Sequence, residues 1–197
     1  MGYHTEFKGK FNLNKPLDDE TYNFLIKFNE TRRMARNTDP KFGVEGEFFV
    51  DGFGFRGQDN DPTIIDHNRC PSTQPGLWCQ WRPSEDRMHI EWDEGEKFYE
   101  YRAWLVYIIK NFLTPKGYTL SGFVSYQGED SDDNGIIDGA DPDPFNEQSG
   151  LIAANPSETL RLAREEILGV TDQSETKPQL PESPRPRKLL LPPEGGV

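Results

Sequence analysis

From Tyr3 to Leu13 the chain alternates, with Tyr3, Thr5, Phe7, Phe11 and Leu13 on one side and His4, Glu6, Lys8, Lys10 and Asn12 on the other. That period of two predicts a half-buried strand. Pro16 and Leu17 close it, and Asp18 is a suitable N-cap for a helix through about Glu30, with Thr21, Leu25 and Phe28, and Phe24 beside them, facing inward. Alternation returns at 76–82, where Leu77, Cys79 and Trp81 are the inward positions, and again at 88–93 with Met88, Ile90 and Trp92. The polar turn 83–87 makes these two runs a hairpin. Asp93 and Glu96 have capping-box spacing, which predicts a helix from there to about Leu113. Its stripe is Phe98, Tyr101, Leu105, Ile108 and Phe112, and Pro115 with Gly117 stops it. A last strand spans 118–127, with Leu120, Val124 and Tyr126 on one face.

The order strand, helix, strand, strand, helix, strand predicts an α+β domain. Its expected form is an antiparallel sheet with two helices on one face, in the ferredoxin-like βαββαβ order. A long insertion at 31–73 follows the first helix. It begins with a basic, turn-rich stretch carrying Arg32, Arg33 and Arg36, and continues into a Gly- and Phe-dense run around Phe53 and Phe55, with room for one short hairpin. The three arginines read either as an anion clamp or as partners of the helix dipole. Insertions of this length are either packing filler or binding loops. The expected domain is 1–140. Residues 141–169 read as an acidic linker with a short helix capped by Ser157, and 170–197 as a Pro-rich disordered tail. The tail has PxxP spacing twice, which its composition alone nearly guarantees.

Charge narrows the function classes. The 197 residues carry a formal net charge of -12, which disfavours direct binding to phosphate backbones. Hydrophobic residues are only 34% of the chain, but the 12% aromatic share can still fill a core. The carboxylates Glu129, Asp130, Asp132, Asp133, Asp138, Asp141, Asp143 and Glu147 lie between Ser121 and Gly150 without one Lys or Arg. Such a block is either solvated or meets a cation or a basic partner surface. No segment reaches the length of a membrane helix, the N-terminus lacks a signal-like apolar run, and Glu6 breaks the myristoylation pattern after Gly2. A cytoplasmic protein with reduced thiols is expected.

Candidate chemistry is sparse. Asp130, Asp132, Asn134, Ile136 (through its carbonyl), Asp138 and Asp141 meet the spacing of a calcium loop, with Gly135 at the turn position. The same residues equally serve a tight turn between the 118–127 strand and a short return strand, and the strand before them favours the turn. His67, Cys70, Cys79 and His89 lack the compact knuckle of a structural zinc site. No catalytic motif is present, and no cofactor is expected unless the loop takes calcium.

The phrases ETRRM, QPGLWCQW, IEWDEGEKFYEY and GYTLSGFVSYQGEDSDD resemble a group of small uncharacterised proteins from bacteria and tailed phages. The likeness covers roughly residues 3 to 140. It implies a phage- or prophage-borne accessory protein and a hairpin continuing from QGED. The functional expectation is a non-enzymatic protein that binds a macromolecular partner, such as an acidic inhibitor of a basic host surface. Phe53 and Phe55 in the insertion and Glu129 and Asp133 in the acidic turn are its candidate contacts. A calcium module and a small-molecule enzyme are the alternatives.

Overall fold

The computed structural model describes residues 2–50 and 52–142. The expected helix at 157–168 and the Pro-rich tail lie outside them. Among the described residues the fold is α+β, with antiparallel strands throughout and two α-helices. No helix among the described residues is long and apolar enough to cross a membrane.

The first alternating run forms two strands, β1 (Thr5–Gly9) and β2 (Phe11–Leu13). Helix α1 (Asp19–Glu30) begins where expected, with the Asp18 carboxylate accepting from the Thr21 amide at 2.7 Å. It buries Thr21, Leu25, Phe28 and Asn29. Within the insertion, β3 (Ala35–Arg36) pairs with β4 (Ile64–Asp66). β5 (Trp81–Pro83) and β6 (His89–Trp92) make the hairpin. Helix α2 (Tyr101–Ile108) is followed by β7 (Leu120–Ser121), β8 (Phe123–Gly128) and the return strand β9 (Asn134–Asp138).

Two sheets share the long strands. One has the order β1-β8-β9 and the other β5-β6-β2-β7, while β3-β4 stands apart. Gly9 pairs with Val124, and Asn12 with Ser121. The partner retreats three residues as the chain advances three, so the register is continuous across the break. The break itself falls at Gly9 (φ 103) and, across the ladder, at Gly122 (φ 87). Both backbones are left-handed there, where a β-carbon would be strained.

The core is aromatic. Phe7 packs edge-on against Trp81, Trp92 and Tyr101, with ring centroids 4.9 to 5.3 Å apart. Phe28 of α1 meets Trp104 and Tyr107 of α2, and both Phe24 and Phe28 meet Phe112. Phe11, Ile90, Leu105, Val124 and Ile137 close the interior at 0 to 1% exposure.

Two expectations are corrected. Residues 76–80 are not strand. Their backbone is used across the fold instead, the Leu77 carbonyl accepting from the Arg33 amide and the Cys79 carbonyl from Asn29 Nδ2. The second helix starts at Tyr101 rather than near Glu96. The Asp93 carboxylate accepts from the Gly95 amide and from Asn29 Nδ2 at 2.7 Å, which spends it on a turn and on α1. Glu94, Lys97 and Glu100 then take left-handed backbones that no helix admits. Phe98 is buried as expected, but it plugs the core from this turn. A single π-type turn at Ile109–Leu113 also rotates the end of the stripe, so Leu113 is fully buried while Phe112 is only partly so.

Candidate functional site

Little of the insertion pairs as sheet, so its backbone groups must find other partners. The three arginines just after α1 supply many of them. The chain leaves the helix at Thr31 in extended geometry, and each side chain then reaches a different part of the insertion. Arg32 donates from Nε to the His67 carbonyl at 3.1 Å and from Nη2 to Asn68 Oδ1 at 3.2 Å. Arg33, 1% exposed, donates from Nη2 to the carbonyls of Glu47 and Phe49 and lies 4.3 Å over the Phe28 ring. Arg36, 2% exposed, pairs with Asp61 at 2.8 Å and donates to the Gly57 carbonyl and to Thr63 Oγ1. The two functions read from these residues, anion clamp and dipole partner, give way to a third: they brace the insertion.

A buried polar network completes the brace. Tyr107 of α2 and Thr73 both donate hydroxyl hydrogen bonds to the Glu47 carboxylate, and Gln74 Nε2 donates to the Glu47 carbonyl and to the Tyr107 hydroxyl. Burial pushes the Tyr107 hydroxyl pKa up. Arg33 has no carboxylate partner, and its Nε and Nη1 have no hydrogen-bond partner among the described residues. Burial pushes its pKa down to about 10.

The brace presents a tip. At residues 52–57 the chain closes on itself so tightly that a β-carbon on Gly52 would sit 2.4 Å from the Gly57 Cα. Arg36 holds the Gly57 carbonyl, and the Arg32 amide donates to the Arg56 carbonyl at 3.1 Å. On this pinned neck Phe53 is 87% exposed and Phe55 73%. Behind it a cleft of about 370 Å³ is lined by Lys27, Glu30 and Thr31 of the α1 end and by Arg56 and the loop glycines. The Arg56 guanidinium lies over both Phe55 and Trp78, and Arg32 also lies over Trp78.

The acidic turn is differently employed. The β8–β9 hairpin turns through 129–133, with the Gly128 amide donating to the Asp133 carbonyl at 2.7 Å. Asp133 accepts from the Tyr3 hydroxyl at 2.6 Å, and Glu129 accepts from the His4 amide at 3.0 Å. The hydrogen bond to Asp133 raises the Tyr3 pKa. Both carboxylates therefore tie the N-terminus to the hairpin, away from Phe53 and Phe55 in role. Asn134, Ile136 and Asp138 alternate along β9, so the first and last are roughly 13 Å apart along the strand. One calcium ion binds its ligands at about 2.3–2.6 Å, and this geometry does not wrap one. The Ile136 carbonyl already accepts from Arg102, the Asp138 carboxylate from the Ala140 amide, and Asn134 donates to the Ser131 carbonyl. Asp130 and Asp132 sit in the turn and Asp141 beyond the strand. No group of three or more His, Cys, Asp or Glu side chains among the described residues is placed to hold a metal. The zinc candidates are likewise dispersed: Cys79 is core, Cys70 contacts the Gln74 carbonyl, and His89 faces Asp86 and Ser84.

A second cleft, of about 480 Å³, opens between β1 and β6. Continuing the β2–β6 register would set Gly9 opposite Trp92, but pairing stops at Phe11 with Ile90. The break at Gly9 turns β1 toward β8 and leaves the gap. Comparison of the chain with protein-family models, curated proteins and solved structures found no match.

Proposed function

We propose that the protein is a non-enzymatic accessory protein of the cytoplasm that binds a protein partner, with the tip of the insertion as its anchor. The observation that carries this reading is the pair Phe53 and Phe55, 87% and 73% exposed on a neck fixed by buried Arg36. Burying one phenylalanine is worth roughly 1.5–3 kcal/mol. A tip already held in place loses little further conformational freedom on binding, so more of that energy reaches affinity. The partner surface should offer an apolar pocket. The net charge of -12 and the exposed Asp130 and Asp132 favour a basic surround and a salt-dependent encounter. Glu129 and Asp133 contribute indirectly, by holding the N-terminus on the hairpin.

The strand order supports the split βαβ reading of the domain. Taking β1 with β2 and β7 with β8 as two bent strands, β5-β6-β2-β7 has the order two-three-one-four, and β9 adds an edge. The contact of α1 with α2 through Phe28, Trp104 and Tyr107 is what two helices on a common face would make.

The test compares capture of proteins from a bacterial host lysate by the full chain and by a Phe53→Ser, Phe55→Ser variant. The wild type should retain a partner that photocrosslinks from position 53 and is released by salt. The variant should lose it while its melting temperature is unchanged. Equal retention by both proteins sinks the reading.

A further inference from the structure

We infer that the cleft between β1 and β6 is a docking site for a basic, proline-rich segment, and that its occupant is this chain's own Lys177–Lys188. The inference is independent of the insertion. Two features of the cleft point to such a ligand. Its charged lining is Glu6, Glu91 and Glu94 against one cation, Arg82, which lies 3.6 Å from Glu91. Its apolar lining is aromatic: Trp92 is half-buried, with its indole fixed by donating to Gln80 Oε1 at 3.0 Å, and Phe7 lies edge-on beneath it at 5.3 Å. Among the described residues the bordering backbone is unspent as well. β1 is the edge of its sheet, and Glu91 and Trp92 pair with β5 but not with β2. A cleft with an aromatic floor, acidic walls and strand edges unpaired among the described residues matches an extended proline-rich peptide carrying arginines, which needs no internal hydrogen bonds.

The chain carries that chemistry. Residues 177–188 read KPQLPESPRPRK, with Lys177, Arg185, Arg187 and Lys188 against the single carboxylate Glu182. Prolines stand at 178, 181, 184 and 186, and a proline ring favours the extended backbone that such clefts accept. The described residues end at Pro142. The 35 steps from there to Lys177 can span up to about 115 Å when extended, far beyond a domain whose radius of gyration is roughly 15 Å. Tethering of this kind gives an effective concentration on the order of 1 mM, so a site with a dissociation constant of about 0.1 mM would be about nine-tenths filled in cis.

Nitrogen-15 spectra of the full chain test this. In an Arg185→Ser, Arg187→Ser, Lys188→Ser variant the amides of Gly9, Glu91 and Trp92 and the Trp92 indole should shift from their wild-type positions. About 0.5 M sodium chloride should move the wild type toward the same positions, and a Glu91→Gln, Glu94→Gln variant should resemble the triple-serine spectrum at the cleft. The wild-type positions should not change on tenfold dilution. Spectra that coincide at the cleft overturn the inference, as do changes that map to 52–57 instead. A dilution-dependent cleft spectrum overturns it too, since the occupant would then be a second copy.

Discussion

Arg33 and Arg36 are equally buried, yet replacing each with methionine should have opposite consequences. Arg33 carries its charge into the interior without a carboxylate, and burial pushes its pKa down to about 10 from an ordinary 12.5. That difference is a penalty on the charge of about 3 kcal/mol. Methionine keeps most of the stem that covers Phe28 and removes the penalty. In exchange, the Phe49 carbonyl loses its donor, at roughly 1–3 kcal/mol, while the Glu47 carbonyl keeps Gln74 Nε2 at 2.6 Å. The terms nearly cancel, so Arg33→Met should lie within about 1 kcal/mol of wild type, whereas Arg33→Ala, which also opens a cavity, should cost about 2–5 kcal/mol. Arg36 is the other case. Arg36→Met takes the cation from Asp61, whose carboxylate keeps only Thr63, and leaves the Gly57 carbonyl without its donor. Breaking a buried pair costs about 3–5 kcal/mol; the Asp61 side chain is 21% exposed, which lowers the expectation to about 2–3 kcal/mol. In urea, followed by tryptophan fluorescence at neutral pH, that is a midpoint lower by roughly 1–2 M, against almost no change for Arg33→Met. Equal losses in the two methionine variants would refute the reasoning, because they would mean that the counterion is immaterial.

Other consequences can be measured on the same protein. The carboxyls of Asp18, Asp61 and Glu45 are held below their ordinary values of 3.8 and 4.5 chiefly by the backbone amides of Thr21, Thr63 and Ser72, with Asp18 near 2, and Asp86 is lowered chiefly by the Ser84 hydroxyl. The unfolded chain therefore binds more protons than the folded one between those values. Their stabilisation is complete above about pH 5 and should be lost progressively as pH falls toward 2, read as a falling melting temperature. Cys79 is fully buried and its thiol is pushed up to about 12 by that burial, so a disulfide reagent at about pH 8 should titrate Cys70 alone until the protein is unfolded. Gly122→Ala puts a side chain on a backbone with φ 87 and should cost roughly 1–2 kcal/mol, while Ser121→Ala, at an exposed neighbouring site, should stay within about 0.5 kcal/mol.

What the sequence discloses, and what it hides, follows from the range of the interactions involved. Helix α1 is legible because its cap is three residues from its donor and its stripe repeats every turn. The β5–β6 and β8–β9 hairpins are legible because alternation and turn residues sit side by side. The start of α2 is not. Capping-box spacing at Asp93 and Glu96 is a local rule, and Asp93 is claimed by Asn29, 64 residues earlier. The seam at Gly9 is hidden for a similar reason: a glycine inside an alternating run marks a weak point, but which neighbour departs there depends on β8. The insertion is the clearest case. It has no period to read, because its order comes from guanidinium groups donating to carbonyls 14 to 36 residues away. One signal was available. Thr31 and the turn-rich stretch after it end α1 before the arginines, so the three do not share a helix face, and Arg32 and Arg33 reach different partners, His67 with Asn68 and Glu47 with Phe49. Three arginines so placed cannot converge on one anion, and a Gly-rich segment nearby has carbonyls in need of donors. Bracing is then the use that satisfies both sides, and it leaves Phe53 and Phe55 as the large apolar groups exposed at the tip.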